Sequence, residues 1–370
     1  MNIGITGSDG FIGWHLRALL YVLKPSQTIK LGTRDTFESE AKLSKFINNL
    51  DVIIHLAGIN RGSDEEVYFG NLEITKKLVN SLKNTKSKCR VIFASSTYCE
   101  KYPSAAFSKA KNESIVILEK NQKTNPYTFT SIVIPNVFGE FCRPNYNSVV
   151  ATFCDQIINK EELNVDFGAD VELIHVQEVA REIIDLIDSN KLISSKRLYG
   201  QQIKVAEIAD ILKRMYSLYI LESLIPNLSN DLEINLFNTL KSHIPLNSLI
   251  KYAKINSDER GFLVETSKSL SGGQSFFSVT ESGITRGNHF HLRKFERFSI
   301  VEGEAEITIR KIFDDKTIKF KVHSKDAPFI DIPNFFTHNI KNIGKGRLIT
   351  LFWANEIFDS KKPDTFFEEV

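Results

Sequence analysis

The feature that most constrains the fold is a set of three glycines near the start of the chain. Gly7, Gly10 and Gly13 are spaced three apart in IGITGSDGFIG, directly after a short apolar run. Glycines at this spacing let the backbone turn tightly between a strand and a helix, and the free N–H groups that begin the helix favour a bound pyrophosphate. The motif therefore predicts a dinucleotide-binding turn whose residues are Gly7, Gly10, Phe11, Ile12 and Gly13.

Short apolar runs alternate with helical patterns over the first 200 residues. Runs rich in Val, Ile and Thr lie at residues 3–6, 29–31, 52–55, 91–94 and 131–135. Stretches with apolar residues three and four positions apart, such as 11–23 and 74–82, lie between them. Strands that alternate with helices indicate βαβ units, so this part of the chain predicts an α/β, Rossmann-like, doubly wound parallel sheet.

The pattern changes after a helical segment at residues 205–245. From about residue 250, segments with period-two alternation, such as 305–309 and 318–322, are separated by turns rich in Gly and Asp. This alternation predicts an all-β domain. The sequence thus predicts an N-terminal domain at residues 1–248 and a C-terminal domain at residues 249–370.

The overall composition argues against several classes of protein. The 47 Lys and Arg residues nearly balance the 45 Asp and Glu residues, whereas a dedicated nucleic-acid-binding protein carries a concentrated basic patch. The longest apolar runs fall far short of the ~18 residues of a membrane helix, and no signal-peptide pattern is visible. The four cysteines have no CxxC spacing, as is typical of reduced thiols. We therefore expect a cytoplasmic protein without nucleic-acid binding or membrane insertion.

Arg34 is the candidate determinant of cofactor choice. The second predicted strand ends near Leu31, where an NAD-binding site usually has an acidic residue for the ribose 2′-hydroxyl. Here an arginine follows instead, and a guanidinium suits a 2′-phosphate. Asp35 comes one position later, which weakens this preference. The sequence predicts NADPH as the cofactor, with Arg34 on its 2′-phosphate.

Three further segments resemble the extended short-chain dehydrogenase/reductase superfamily. HLAG at residues 55–58 is similar to its motif beside the adenine and ribose, which implies that Ala57 and Gly58 bind the cofactor. ASS at residues 94–96 resembles the strand end with the catalytic Ser or Thr, which implies a catalytic role for Ser96. PNVFG resembles the substrate-binding segment and implies that Asn136 contacts the substrate.

The tyrosine of the superfamily's Tyr-x-x-x-Lys motif is missing. In that motif the Tyr hydroxyl transfers a proton to or from the substrate oxygen, and the Lys lowers the pKa of the Tyr. One alignment pairs Ala105 with Lys109, and the other pairs Phe107 with Lys111. Neither alignment provides a hydroxyl.

Two tyrosines just before this segment, Tyr98 and Tyr102, are candidate replacements. Either a hydroxyl reaches the site from the preceding loop, or both rings only pack within that loop; the sequence leaves both possibilities open. The catalytic candidates of the N-terminal domain are Ser96, Tyr98, Tyr102, Lys109 and Lys111.

The C-terminal domain carries a pattern of metal ligands. His289 and His291, with one residue between them on a strand, point to the same face, and Glu296 returns after a turn. A third imidazole follows at His338. Three imidazoles and one carboxylate suit Zn²⁺ or another first-row divalent metal, so these four residues are the predicted metal site.

The spacing of these ligands resembles the two cupin motifs, which implies a double-sheet jelly roll. Cupins usually have a glycine where Phe335 stands. This departure is expected to alter a turn without removing a ligand.

A dehydrogenase-like domain followed by a cupin resembles the CapF family of capsular polysaccharide synthesis enzymes over nearly the whole chain. The segments RGNHFH at residues 286–291 and IPNFFTHNI at 332–340 carry this resemblance together with CRPNYNSVVATF at 142–153. It implies a homodimer that pairs through the cupin and a UDP-linked 4-keto-6-deoxy-N-acetylhexosamine as the substrate. The cupin is expected to invert C3 and the N-terminal domain to reduce the C4 ketone with NADPH, giving UDP-2-acetamido-2,6-dideoxy-L-talose.

Four polar residues are candidates for binding this sugar nucleotide. A guanidinium suits the diphosphate, which singles out the arginine of the group. The candidates are Asn136, Arg143, Asn145 and Asn147.

Two other functions are compatible with the same residues. Without a tyrosine hydroxyl, the chain would be a C3-epimerase whose first domain binds NADP but reduces poorly. A non-enzymatic sugar-nucleotide-binding scaffold with a structural metal is the third possibility, since cupins also serve as binding modules.

Overall fold

The computed structural model describes residues 1–189 and 191–370, which fall into two compact units. Unit 1 consists of Met1–Phe138 and Ala169–Lys204, and unit 2 consists of Gly139–Gly168 and Val205–Val370. This division differs from the predicted boundary at residue 248, because residues 139–168 and 205–248 group with the C-terminal strands.

The described helices and strands follow each other along both units. The helices are α1 (Phe11–Leu23), α2 (Glu40–Ile47), α3 (Asp64–Asn84), α4 (Tyr98–Lys101), α5 (Ala106–Gln122), α6 (Val149–Ile158), α7 (Val176–Asp188), α8 (Val205–Tyr216) and α9 (Asp231–Ser242). The strands are β1 (Asn2–Thr6), β2 (Thr28–Gly32), β3 (Val52–His55), β4 (Arg90–Ser96), β5 (Thr128–Ile134), β6 (Asn136–Phe138), β7 (Asp170–His175), β8 (Ser195–Arg197), β9 (Gln201–Lys204), β10 (Leu224–Ile225), β11 (Ile250–Tyr252), β12 (Ile255–Asp258), β13 (Gly261–Val264), β14 (Lys268–Ser269), β15 (Gln274–Thr280), β16 (Thr285–Phe290), β17 (Glu296–Glu302), β18 (Glu304–Lys311), β19 (Thr317–His323), β20 (Pro328–Ile332), β21 (Phe336–Asn342), β22 (Leu348–Ala354) and β23 (Phe366–Phe367).

Unit 1 is built on a parallel sheet with the strand order β2-β1-β3-β4-β5-β8. Its central strands are nearly continuous in Val, Ile and Phe because helices cover them. One group of helices consists of α2, α3 and α5, whose apolar residues form a core with β3 and β4, and α1 packs with α7. The prediction of a Rossmann-like parallel sheet is confirmed.

The register of this sheet places the functional segments at one edge. Thr6 pairs with His55, and His55 pairs with Phe93. The carboxyl ends of β1, β3 and β4 therefore lie side by side, which is where open α/β sheets bind their ligands.

Besides the two-stranded pairs β10-β14 and β12-β13, unit 2 contains two five-stranded antiparallel sheets. Their strand orders are β11-β20-β17-β22-β15 and β19-β18-β21-β16-β23. Alternate residues of both sheets form one core, in which Phe298 and Phe352 of the first sheet lie with Ile307 and Ile340 of the second. The antiparallel sheets confirm the predicted all-β character of the chain from about residue 250.

Side chains of residues 205–248 explain why this segment belongs to unit 2. The Tyr219 hydroxyl donates to the buried Asp331 carboxylate at 2.6 Å, and the Asn238 amide donates to the Arg293 carbonyl at 2.9 Å. The ring of Phe237 meets that of Phe295 edge-on, with centroids 5.6 Å apart. Helix α9 and the turn that follows α8 thus contact the β-rich part of unit 2.

Within residues 1–189 and 191–370, no helix combines the length and the apolar character that a membrane crossing requires.

Candidate metal centre and dinucleotide turn

Two paired strands of one sheet of unit 2 and a strand of the other sheet bring the four predicted metal ligands together. His289 lies near the end of β16, His291 just follows it, Glu296 begins β17, and His338 lies on β21. The ligand atoms of these residues all lie within 4.8 Å of one another. The distances from Glu296 Oε2 to the Nε2 atoms of His289, His291 and His338 are 3.9, 3.3 and 3.8 Å.

A glycine and a bulge set the direction of the histidine strand. The pairing of β16 with β21 shifts between Gly287 and His289, and Asn288 between them has a φ of 59°. Gly287 has a φ of 104°, and a Cβ atom there would lie 2.7 Å from the carbonyl oxygen of His338. Only glycine fits this close approach, which places His289 directly opposite His338.

The hydrogen bonds of two histidines leave their outer nitrogens free for a cation. His291 Nδ1 lies 2.6 Å from the Asp364 carbonyl oxygen, and His338 Nδ1 lies 3.1 Å from the Phe336 carbonyl oxygen. An imidazole that donates from Nδ1 presents a lone pair at Nε2. The Nε2 atoms of both residues are buried without a hydrogen-bond partner, which is costly unless a ligand satisfies them. The four residues therefore fit a divalent metal of the zinc class.

The protonation states favour metal binding as well. Burial by itself would raise the pKa of Glu296, but the three surrounding imidazoles outweigh burial and hold this pKa below its ordinary value. Burial lowers the pKa of His338 to about 4. At neutral pH the carboxylate is thus ionised and the His338 imidazole is neutral, as metal ligands must be.

The cluster is accessible from one side. The side chain of His289 is 25% exposed, whereas that of His291 is 2% exposed and that of His338 is fully buried. On the Glu296 carboxylate, Oε2 lies toward the imidazoles, and Oε1 lies 3.0 Å from Lys294 Nζ. The accessible side of the cluster is therefore that of His289.

The turn at Phe335 keeps the backbone conformation that a glycine would adopt. Phe335 has a φ of 65°, and its N–H donates to the His291 carbonyl at 2.8 Å. Its buried ring lies 5.8 Å from that of Phe141. The phenylalanine therefore accepts a strained conformation in exchange for burial of its ring.

In unit 1, the glycine turn has no room for side chains. Gly7 has a φ of 69°, and a Cβ atom there would lie 2.8 Å from the Ala57 nitrogen. A Cβ atom at Gly13 would lie 2.2 Å from the Gly7 carbonyl oxygen. Helix α1 begins at Phe11, directly after Gly10, and within the described part of the chain this N-cap position has no side-chain hydrogen bond to the first N–H groups. Those groups remain available to a pyrophosphate.

Lys111 lies at the same edge of the sheet. Its ammonium donates to the Ala94 carbonyl at 2.9 Å and lies 3.6 Å from the point where a Cβ atom of Gly58 would stand. Burial lowers the pKa of Lys111 to about 8. Lys109 is exposed, so of the two lysines only Lys111 is buried beside the strand ends.

The rings near Lys111 favour one of the two alignments. The Phe107 ring centroid is 5.6 Å from Lys111 Nζ. The Tyr98 ring lies 6.2 Å from the Phe107 ring and 4.7 Å from the Tyr102 ring, and both tyrosines are about half exposed. The Tyr98 N–H donates to Ser96 Oγ at 3.1 Å, at the end of β4. This geometry favours the pairing of Phe107 with Lys111 and places the Tyr98 ring next to it.

Arg34 stands just beyond β2 and is exposed. The neighbouring Asp35 forms an ion pair with Lys42, with 2.5 Å between the carboxylate and the ammonium. The acidic group that would favour NAD is thus already paired.

The four candidate substrate residues divide between the units. Asn136 belongs to unit 1, where its exposed side chain donates to the Glu172 carbonyl at 3.3 Å. Arg143, Asn145 and Asn147 belong to unit 2 and are exposed, and the Arg143 guanidinium lies 5.6 Å from the Tyr146 ring.

Sequence reasoning missed two residues beside the metal cluster, Lys294 and Asp364. Asp364 contacts a ligand that lies far away in the sequence, and no periodicity marks such a contact. Lys294 lies between two predicted ligands, which is the one signal that could have drawn attention to it.

Comparison with known proteins gives full-length and partial similarities. Residues 3–199 match the model of the NAD dependent epimerase/dehydratase family, and residues 256–366 match that of the polysaccharide biosynthesis C-terminal domain. The chain is 31% identical to a UDP-2-acetamido-2,6-beta-L-arabino-hexul-4-ose reductase of Pseudomonas aeruginosa, over 99% of this chain and 98% of the relative. The solved structure of the capsular polysaccharide assembling protein CapF from Staphylococcus aureus is 31% identical, with full coverage of both chains and a TM-score of 0.63. The chain also resembles a UDP-N-acetylglucosamine 4-epimerase from Bacillus cereus, with a TM-score of 0.52 and 16% identity over 59% of this chain and 82% of the epimerase chain. At this identity the similarity shows the fold alone.

Proposed function

Because the chain belongs to the CapF family and, over its first half, to the NAD dependent epimerase/dehydratase family, we propose that it is a sugar-nucleotide enzyme of capsular or surface polysaccharide synthesis. One observation carries this proposal: a chain that matches CapF over its full length has both a dinucleotide turn in unit 1 and a four-ligand cluster in unit 2. The proposed substrate is a UDP-linked 4-keto-6-deoxy-N-acetylhexosamine, and the product is UDP-2-acetamido-2,6-dideoxy-L-talose.

The C-terminal sheets are proposed to act as a cupin that inverts C3. A hydrogen next to a ketone is removable when the negative charge that develops on the oxygen is stabilised, and a bound divalent metal supplies that Lewis acidity. His291, His338 and Glu296 would hold the ion from the buried side, and the partly exposed His289 borders the side that a substrate can reach. Zn²⁺ is the metal proposed, because three nitrogens and one carboxylate are ligands that it prefers.

The N-terminal domain is proposed to reduce the C4 ketone. The uncapped N-terminus of α1 would hold the pyrophosphate of NADPH, which supplies the hydride, and Arg34 would contact the 2′-phosphate. Lys111 of α5, whose ammonium lies beside the end of β4, would hold the nicotinamide ribose, and Ser96 at the end of β4 would hold the ketone. Tyr98 is the nearest described hydroxyl-bearing ring to Phe107 and is the proposed proton donor.

A second candidate function follows from Phe107. If no hydroxyl replaces the missing tyrosine, the protein exchanges the proton at C3 but reduces C4 poorly. It would then be a C3-epimerase that still binds NADPH.

Two assays on the 4-keto substrate separate these functions. We expect deuterium from D₂O to appear at C3, as followed by mass spectrometry, and NADPH to be consumed. Exchange without NADPH oxidation would identify an epimerase alone, whereas the absence of both would leave a binding scaffold.

Histidine variants test the metal site. His289→Ala and His338→Ala should lose the metal that the purified protein binds, as measured by elemental analysis, and should lose exchange at C3. His323→Ala is the matched control, because this histidine is exposed and lies outside the cluster. Full metal content in both cluster variants would contradict the ligand set.

The proposed homodimer would use an edge of the first sheet of unit 2. Strand β15 ends the strand order of that sheet and exposes Phe276, Phe277 and Val279. Apolar edge strands of soluble proteins are normally covered. Phe277→Glu should therefore shift the protein to a monomer in sedimentation experiments, and Phe167→Glu, at an exposed phenylalanine outside this strand, should not.

A cytoplasmic location is proposed on two grounds. The four cysteines are free and buried, as is usual in reducing compartments. The proposed cofactor and sugar nucleotide belong to biosynthetic metabolism.

A further inference from the structure

A carboxylate near the C-terminus holds the loop between two metal ligands. Asp364 Oδ1 accepts a hydrogen bond from the Leu292 N–H at 3.2 Å, and Oδ2 accepts from the N–H groups of Arg293 and Lys294 at 3.0 and 2.8 Å. Asp364 is buried, and its backbone has a φ of 42°. One side chain therefore satisfies three consecutive N–H groups of a loop that begins directly after His291.

The backbone of the same residue fixes a ligand. The Asp364 carbonyl oxygen accepts a hydrogen bond from His291 Nδ1 at 2.6 Å, which leaves Nε2 as the free lone pair of that imidazole. The loop that the carboxylate holds also carries Lys294, whose ammonium lies 3.0 Å from Glu296 Oε1. Asp364 thus controls the tautomer of one ligand and the surroundings of a second.

The residues that follow Asp364 attach this segment to the histidine strand. Phe366 and Phe367 form β23, which pairs with Phe290 and His289 of β16. Arg310 forms an ion pair with Glu368 at 3.0 Å. The C-terminal segment is therefore anchored to β16 and, through Arg310, to β18.

We propose that Asp364 is a positioning residue of the metal centre and that the C-terminal segment from Asp364 to Phe367 forms its outer shell. This inference rests on the proposed metal site. Loss of such outer-shell partners typically lowers metal affinity by about 10- to 100-fold. Asp364→Asn keeps the backbone carbonyl but replaces one acceptor oxygen with an N–H donor that faces N–H groups of the loop, so the loop that leads from His291 to Lys294 loses its fixed position.

The test is the affinity of the metal-free full-length protein for Zn²⁺, measured by competition with a chromogenic chelator. Asp364→Asn should weaken Zn²⁺ binding about 10- to 100-fold. Asp359→Asn is the matched control, because Asp359 is exposed and its carboxylate accepts from the Lys361 N–H within its own turn. Unchanged affinity of Asp364→Asn would overturn this inference alone, whereas a failure of the unmodified protein to bind Zn²⁺ would overturn the metal site itself.

Hydrogen exchange on the unmodified protein provides a second test that does not depend on how the variant folds. Adding Zn²⁺ should slow exchange at the amides of residues 292–294 and of 364–367 together, because coupling between the metal and the segment is reciprocal. If Zn²⁺ binds and the exchange of residues 364–367 stays the same, the segment is not part of the metal centre.

Discussion

Restoring a tyrosine at position 107 is predicted to accelerate C4 reduction. Phe107 lies one helical turn before Lys111 on α5, and its ring centroid is 5.6 Å from the Lys111 ammonium. Phe107→Tyr adds a single oxygen to a ring that already occupies this position. The variant therefore tests the missing hydroxyl with little change in packing.

The size of the effect follows from the chemistry and from the neighbours of the ring. General acid catalysis contributes about 10²–10⁴-fold, or roughly 2.7–5.5 kcal/mol of activation free energy. The Lys111 ammonium would lower the pKa of the added hydroxyl, which favours proton transfer. Because the Tyr98 ring lies only 6.2 Å from that of Phe107 and is the proposed donor in the natural sequence, we expect an increase of about a hundredfold, at the lower end of this range.

The assay is a single turnover of NADPH oxidation with the 4-keto substrate. Ala105→Tyr is the matched control, because its partner in the other alignment, Lys109, is exposed. An increase in the control without one in Phe107→Tyr would refute the alignment with Lys111. Fast reduction by the natural sequence that survives both Tyr98→Phe and Tyr102→Phe would refute the proton-donor reasoning altogether.

Three further predictions concern the cofactor preference, the buried lysine and the strained turn. Arg34→Ala should reduce the preference for NADPH over NADH, measured as the ratio of the two dissociation constants, by about ten- to a hundredfold, because a charge-assisted contact contributes ~1.5–3 kcal/mol. Lys42→Ala should strengthen NADH binding, because it releases the Asp35 carboxylate from its ion pair. The folded-state pKa of Lys111, about 8, lies below its ordinary 10.5, so the unfolded chain holds more protons between these values and stability rises with pH across that window. Lys111→Met should reduce this rise and raise the free energy of unfolding at pH 7 by at most about 3 kcal/mol, whereas Lys109→Met should change neither. Phe335→Gly relieves ~1–2 kcal/mol of left-handed strain but loses a buried ring worth ~3–5 kcal/mol, so a lower thermal midpoint is expected, and a higher one would mean that strain dominates.

The metal ligands could be predicted because their geometry is local. Strand periodicity places His289 on the same side as its neighbour two positions later, and the intervening turn is short enough for Glu296 to return. The units were harder to predict. An amphipathic pattern at residues 205–219 predicts a buried face without identifying what covers it, and the polar contact of Tyr219 with Asp331 joins residues that lie far apart in the sequence.

The burial pattern of helix α5 distinguishes Lys111 from Lys109, although both lysines fit the motif. On α5, Lys111, Ser114 and Leu118 are buried at helical spacing, whereas Lys109 is exposed. A helix with apolar or small residues three and four positions apart turns one stripe toward the core, and Phe107 belongs to the same stripe as Lys111. The spacing of the residues after the motif therefore already favours Lys111, although the motif by itself leaves both lysines open. The same reasoning cannot reach Asp364, because a single residue that caps a distant loop leaves no periodic trace, and only the folded chain brings it to His291.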